Sequence, residues 1–284
     1  MSPLPAFIHE TVAVLAPLLP AALGGLATDR VGVLNIALEG LMMAGGFAYV
    51  AVGAHFGPVA GLAAAMAAGV AASWTLDAFV RRSRSDPFVA GLALNLLVPA
   101  LASIASEFLF GTKGVVSVLA LASPRIGNFR ASDWAALAFA SLAILVLGFT
   151  PFGLRTRACG TSPDALRLAG LDPGRIRGQA YAFAGMACGV SGAVLAAAIG
   201  AWVPSLSAGR GWIALVAVYL GGRRLGGTLA ATAGFAILLA AATRAQAFAF
   251  LPSELLLAAP YALTAVVVIL GAAGARGRDG SGGR

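Results

Sequence analysis

Charge is what this sequence has least of. Asp, Glu, Lys and Arg make up 11% of its 284 residues, whereas 60% are hydrophobic. Soluble globular domains carry about a quarter charged residues, so a soluble fold is excluded. No polar segment is long enough to form a second, soluble domain. Lysine is nearly missing: Lys113 is the single lysine among 19 basic residues. That lean toward arginine has no mechanism attached to it. Cysteine is limited to two residues, Cys159 in a polar loop and Cys188 in an apolar run. A disulfide framework is therefore excluded, and both read as small apolar packing residues without metal-ligand company.

The motifs of self-sufficient chemistry are also missing. There is no G-x-x-x-x-G-K-[ST]; the nearest glycine-rich stretch, GGRRLGGT at 221–228, has no lysine to reach a phosphate. HExxH and CxxC patterns are absent as well, so an enzyme reading has nothing to stand on, and neither a metal nor a bound cofactor is expected. Met1–Thr11 holds no basic residue, so the first apolar run reads as a span rather than a signal peptide.

What is present is a series of apolar runs of membrane-crossing length from Thr11 to Gly274. They predict an all-α, polytopic bundle in the cell membrane, a single domain over 1–274 with a disordered cytoplasmic tail over 275–284. Nine spans can be drawn, at 11–27, 31–52, 57–80, 87–109, 132–150, 178–202, 209–222, 226–243 and 253–274. A full crossing takes about 20 residues, so the seventh and eighth are expected to be tilted, broken or re-entrant.

The formal charge of +8 is distributed in short clusters beside apolar runs. That is the pattern of the positive-inside rule, not of the concentrated basic face that nucleic acid needs. One side of the alternation collects Arg30, Arg81, Arg82, Arg84, the arginines of 153–177, Arg223, Arg224, Arg276, Arg278 and Arg284. The other collects Lys113, Arg125, Arg130, Arg210 and Arg244. This bias predicts an N-terminus outside and a C-terminus in the cytoplasm, which requires an odd number of spans.

Few polar residues interrupt the spans. Asn35 and Glu39 stand four apart in the second, on one face if that span is a continuous helix. A carboxylate in hydrocarbon is costly and marks either a pathway or a structural bond to a neighbouring helix. Both readings are open for Asn35, Glu39 and Asn95. Asp77 and Glu107 lie near span ends and are expected in the solvated headgroup region. Trp74, Phe152 and Trp202 are expected as interfacial anchors.

The connection at 110–131 is expected outside, the one at 151–177 inside. In the latter, TSPDALRLAG reads as a short helix: Ser162 as N-cap, Pro163 in the first position, Asp164 at the positive end of the dipole and Gly170 as terminator. Asp172 and Pro173 repeat the signal for the next span. Such a helix can dock in a groove of another protein, or lie on the membrane surface.

Three segments carry a resemblance: GVLNIALEGLMMAGGFAYV, GTSPDALRLAGLDPGRIRGQAYAFAG and AGRGWIALVAVYLGG. They resemble, in the same order and over most of the chain, the permease subunits of ATP-binding-cassette (ABC) importers. The branch is that of the simple-sugar, branched-chain amino acid and nucleoside permeases. GVLNIALEG is most similar to the smaller permease of a nucleoside importer. The resemblance implies that Thr161–Gly170 is a coupling helix seated in an ATPase subunit, with Ser162, Pro163, Leu166, Ala169 and Gly170 at its contact. It further implies ABC ATPase subunits that bind the ATP, a second permease subunit, an extracytoplasmic binding protein and a small-molecule substrate. A stand-alone ion-coupled secondary transporter is the reading from a different class. It would place several ionisable residues near the midplane, where this chain offers Glu39.

Overall fold

The longest helical element, α2 (Leu38–Ser83), is 46 residues long and does not run straight. Its backbone leaves helical geometry at Gly57, with φ 85° and ψ 173°, immediately before Pro58. Proline supplies no N–H and fixes its own φ, and glycine alone accepts this φ without strain. The chain then turns back on itself. A Cβ placed on Gly61 would stand 2.6 Å from the carbonyl oxygen of Tyr49, whereas twelve residues of straight helix cover about 18 Å. The segments before and after Gly57 are thus two antiparallel helices in contact.

The computed structural model describes residues 3–248. The expected ninth span and the tail lie outside the described residues. Before α2 comes α1 (Pro3–Arg30). After it come α3 (Pro87–Phe110), α4 (Ala131–Phe149), α5 (Pro151–Thr161), α6 (Pro163–Leu168), α7 (Pro173–Ile199), α8 (Arg210–Leu220) and α9 (Leu225–Phe248). Six of these helices are long and apolar enough to cross a membrane, counting α2 once. The starts of α3 and α7 share a device. Asp86 and Asp172 accept the N–H groups of Phe88 and Gly174, at 2.7 and 2.8 Å, with proline in the first helical turn.

α1 and α7 form the centre. In their most apolar windows 72% of residues are buried, against 17% in α3, which lies at the periphery. The second half of α2 packs antiparallel along α7 through small residues four apart. Ala65, Gly69 and Ser73 face Gly189, Gly185 and Tyr181, and a Cβ on Gly185 or Gly189 would overlap the facing backbone. The first half of α2 crosses the same stretch of α7, where a Cβ on Gly45 would come within 2.5 Å of Gly189 Cα. Between lipid-facing helices no hydrophobic effect drives association, so close backbone approach of this kind supplies the contact energy.

Several expectations are corrected here. The second span does not begin at 31: residues 31–37 are irregular and the helix starts at Leu38. α9 is 24 residues and not short. Asp77 is fully buried rather than solvated, because Arg81 at 2.9 Å and Arg177 of α7 at 3.3 Å bring it counter-charge. Trp202 is fully buried too. It sits in a two-residue strand, β4 (Ala201–Trp202), that pairs antiparallel with β1 (Val116–Ser117) of the 110–131 connection, and its ring meets Phe47 edge-on. That connection also holds a hairpin of β2 (Arg125–Ile126) and β3 (Phe129–Arg130).

Candidate functional site: a broken-helix junction and a short loop helix

Where α1 ends, the chain does not turn directly into a helix. Gly32 takes a left-handed φ of 81°, and the N–H groups of Val31 and Val33 fold back onto the Thr28 carbonyl. Asn35 follows. Its Oδ1 accepts the N–H of Ala37 at 3.1 Å, a turn that closes on the chain two residues ahead and opens α2. Asn95, arriving from α3, holds the same segment from outside. Its Nδ2 donates to the Ile36 carbonyl at 2.8 Å, and its Oδ1 accepts the Gly40 N–H at 2.7 Å. One amide thus satisfies two backbone groups that the helix break leaves without partners, the form in which irregular backbone is tolerated at membrane depth.

Glu39 sits in the first turn of α2 and reaches the beginning of α8. Its Oε1 accepts from the Ser207 hydroxyl and from the Gly209 N–H at 2.8 Å; its Oε2 accepts the Gly211 N–H at 2.7 Å. Gly209 is the N-cap of α8, with φ 79°. The carboxylate therefore lies against the N-terminal ends of two helices, α2 and α8. Their free N–H groups and dipoles favour an anion there. The approach is so close that a Cβ on Gly211 would stand 2.5 Å from the Glu39 backbone nitrogen. α8 is 11 residues, about 16 Å and half of a bilayer's hydrocarbon. The expectation of an interrupted seventh span fits this length. Its far end is held by Arg223, which makes a two-pronged pair with buried Asp29 at the end of α1, at 2.7–3.0 Å. Hydrogen bonding to Asp29 raises the Arg223 pKa above its ordinary value.

The structure therefore brings Asn35, Glu39 and Asn95 together at one junction, though not as a stripe on one continuous helix. Both oxygens of Glu39 and both ends of the Asn95 amide are bonded to protein. Asn35 is buried, and its Nδ2 has no hydrogen-bond partner among the described residues. Sequence reasoning missed Ser207, Gly209 and Gly211 as partners of Glu39. The AGRGW segment was the available signal, since glycines flanking a helix start permit a close approach.

At the opposite end of α7 stands the short helix α6. Ser162 caps α6, accepting the Ala165 N–H at 3.4 Å, with Pro163 in the first position and an Asp164–Arg167 ion pair on its exposed side. Gly170 follows at φ 74°. Ser162, Pro163, Ala169 and Gly170 are exposed. Leu166 is not: it is 6% exposed and belongs to the core, while Leu168 is 91% exposed. The apolar side chain on offer to another protein is thus Leu168, two positions on. α5, a helix not foreseen in the sequence, underlies α6. Gly160 of α5 packs on the Arg30 carbonyl, and Cys159 is buried, with its Sγ 3.8 Å from the Pro173 carbonyl. Burial pushes the Cys159 thiol pKa up.

The chain matches the family model of the branched-chain amino acid transport system permease component over residues 7–272. It belongs to that family. Two relatives align along nearly their whole length. The guanosine ABC transporter permease protein NupQ of Bacillus subtilis is 32% identical over 90% of this chain and 89% of its own. The nucleoside ABC transporter permease protein NupC of Lactococcus lactis is 29% identical over 89% and 88%. No solved structure matches. This permease is accordingly a multi-pass membrane subunit of an ABC transporter and not an enzyme.

Proposed function

We propose that this permease forms the substrate pathway of a nucleoside importer, driven by separate ABC ATPase subunits that bind the ATP. One observation carries the substrate: two relatives that align over about nine-tenths of the chain are named for guanosine and for nucleosides. A second permease subunit and an extracytoplasmic binding protein complete the assembly in this reading. In this reading the N-terminus is outside and the described helices supply eight of nine crossings, the ninth lying outside the described residues. The two halves of α2 count separately, and 203–209 leads into α8 to make one composite crossing. Residues 203–209 are a run of turns, closed by bonds such as Leu206 N–H to the Val203 carbonyl at 3.0 Å, and α8 continues from them.

α6 is the coupling helix, presenting Ser162, Pro163, Leu168, Ala169 and Gly170 to the ATPase while Leu166 seats it on its own subunit. α6 leads through the Asp172 cap into α7, a helix of 27 residues, about 40 Å long. A displacement at the cytoplasmic end is thereby carried by one rigid element to the Gly189–Gly192 crossing with α2, a few residues from the Glu39 junction. Glu39 and Asn95 hold that junction together; Asn35, whose buried Nδ2 has no partner among the described residues, is the residue of the three with a donor left for a passing hydroxyl or base.

Uptake of labelled nucleosides, ribose-like sugars and branched-chain amino acids by vesicles carrying the complete transporter tests the substrate class. Nucleoside uptake that the other two fail to compete supports the assignment. Uptake of sugars or amino acids alone moves the permease to a sister branch, and ion-driven uptake by this chain without ATPase overturns the importer reading.

A further inference from the structure

On the side of the molecule away from α6 lies a cavity of about 320 Å³. Leu62 of α2, Ala135 of α4 and Ala193, Val194 and Ala197 of α7 form its walls, and Val59, 82% exposed, stands at its border. Its lining is mostly apolar, and of its side-chain hydroxyls only that of Ser132 has no hydrogen-bond partner among the described residues. The Tyr49 hydroxyl donates to the Leu121 carbonyl, and Ser123 Oγ accepts the Ser132 N–H at 2.8 Å. A polar solute entering it would lose its water and find little more than the Ser132 hydroxyl in exchange. An alkyl chain would lose nothing.

Two arginines adjoin its lining in the chain. Pro124 and Ala131 line the cavity and are joined by a 2.8 Å bond from the Ala131 N–H to the Pro124 carbonyl. The residues next to each, Arg125 and Arg130, are register partners in the β2–β3 hairpin. Like charges directly opposite in an antiparallel pair are destabilising. The neighbouring acid, Asp133, is buried, and it accepts the Arg130 backbone N–H at 3.2 Å. An anion lying between the two guanidiniums would relieve the repulsion, and arginine recognises phosphate oxygens well.

We infer that this cavity and the Arg125–Arg130 pair form one site for an anionic phospholipid of the leaflet on the hairpin side. An acyl chain fills the space between α2, α4 and α7, and the headgroup phosphate lies on the two arginines. The occupant is a membrane lipid and not a soluble phosphate, because the larger part of the site is apolar and a soluble anion leaves it empty. The site is separate from the Glu39 junction and does not depend on which solute the transporter carries.

The test is lipid retention by the assembled transporter, purified through delipidating detergent and supplied with vesicle lipid of defined composition. Phosphatidylglycerol is compared with phosphatidylcholine, and bound lipid is counted by native mass spectrometry. The expected result is one retained phosphatidylglycerol per permease, in at least tenfold preference over phosphatidylcholine. Ala135→Trp, placed on an exposed wall position, is expected to abolish retention. Arg125→Gln with Arg130→Gln, which leaves the hairpin's backbone pairing and the Arg130 N–H bond to Asp133 in place, is expected to erase the headgroup preference with an unchanged unfolding midpoint. Retention that survives Ala135→Trp overturns the inference, as does binding that ignores headgroup charge and both arginines. Displacement of the lipid by nucleoside would instead make the cavity part of the transport route and equally overturn it.

Discussion

Glu39 in the first turn of α2 and Gly211 in the first turn of α8 are 172 positions apart in the chain, and they meet through a 2.7 Å hydrogen bond. One carboxylate thereby fixes where two helices begin within the membrane. Its anionic charge, expensive in hydrocarbon, is met by hydroxyl and backbone donors and by two helix N-termini.

Glu39→Gln keeps the side-chain volume but removes the charge and turns one acceptor into a donor facing a backbone N–H. A hydrogen bond to a charged group contributes about 1.5–3 kcal/mol. The variant is expected to lose stability in that range, and Glu39→Ala to lose more. Thermal unfolding of the purified protein in detergent checks both; an unchanged midpoint for Glu39→Ala would contradict the junction.

Two glycine-to-alanine changes are expected to differ in sign. In Gly211→Ala the new Cβ meets Glu39 backbone at 2.5–2.6 Å, and overpacking of this kind costs about 1–3 kcal/mol. Gly234→Ala lies within α9 with nothing within 4 Å of the new Cβ. It is expected to be neutral or to gain about 0.5–1 kcal/mol from helix propensity. The same unfolding assay reads both.

Asn95→Leu removes a donor from the Ile36 carbonyl and an acceptor from the Gly40 N–H. Each backbone group left unpaired costs about 1–3 kcal/mol. Hydrogen exchange is expected to show faster opening of residues 36–41, with the α2–α7 contact less affected.

The two leucines of α6 separate seating from docking. Leu166→Arg buries a charge without a partner and is expected to destabilise the subunit itself. Leu168→Arg, at a 91% exposed position, is expected to leave unfolding unchanged and to weaken ATPase association at least tenfold, as read by co-purification.

The membrane class and most helices were legible in composition and hydropathy, because a crossing helix must be apolar for its full length. The capped start of α6 was legible for a local reason: Ser162, Pro163 and Gly170 are each dictated by backbone geometry. Its facing was not, since in a six-residue helix only packing against α5 and α7 decides between Leu166 and Leu168. Asn35 and Glu39 were singled out correctly as costly residues. Their arrangement on one continuous helix was wrong, because the Asn35 turn and Gly32 delay α2 to Leu38. Asp77 was misplaced because its partner Arg177 comes from a helix a hundred residues away in sequence. The four-residue spacing of small residues at 65, 69 and 73 and at 185 and 189 was present in the sequence and marked the α2–α7 contact.

ATP-dependent uptake of labelled guanosine tests the central claim most directly. The vesicles would carry this permease with its ATPase, sister permease and binding protein, alongside the same assembly bearing Leu168→Arg. The account predicts uptake that requires ATP and the binding protein and falls at least tenfold in the variant, with the permease still folded in the membrane. Guanosine uptake indifferent to ATP and to Leu168, or sustained by this chain alone, would contradict it.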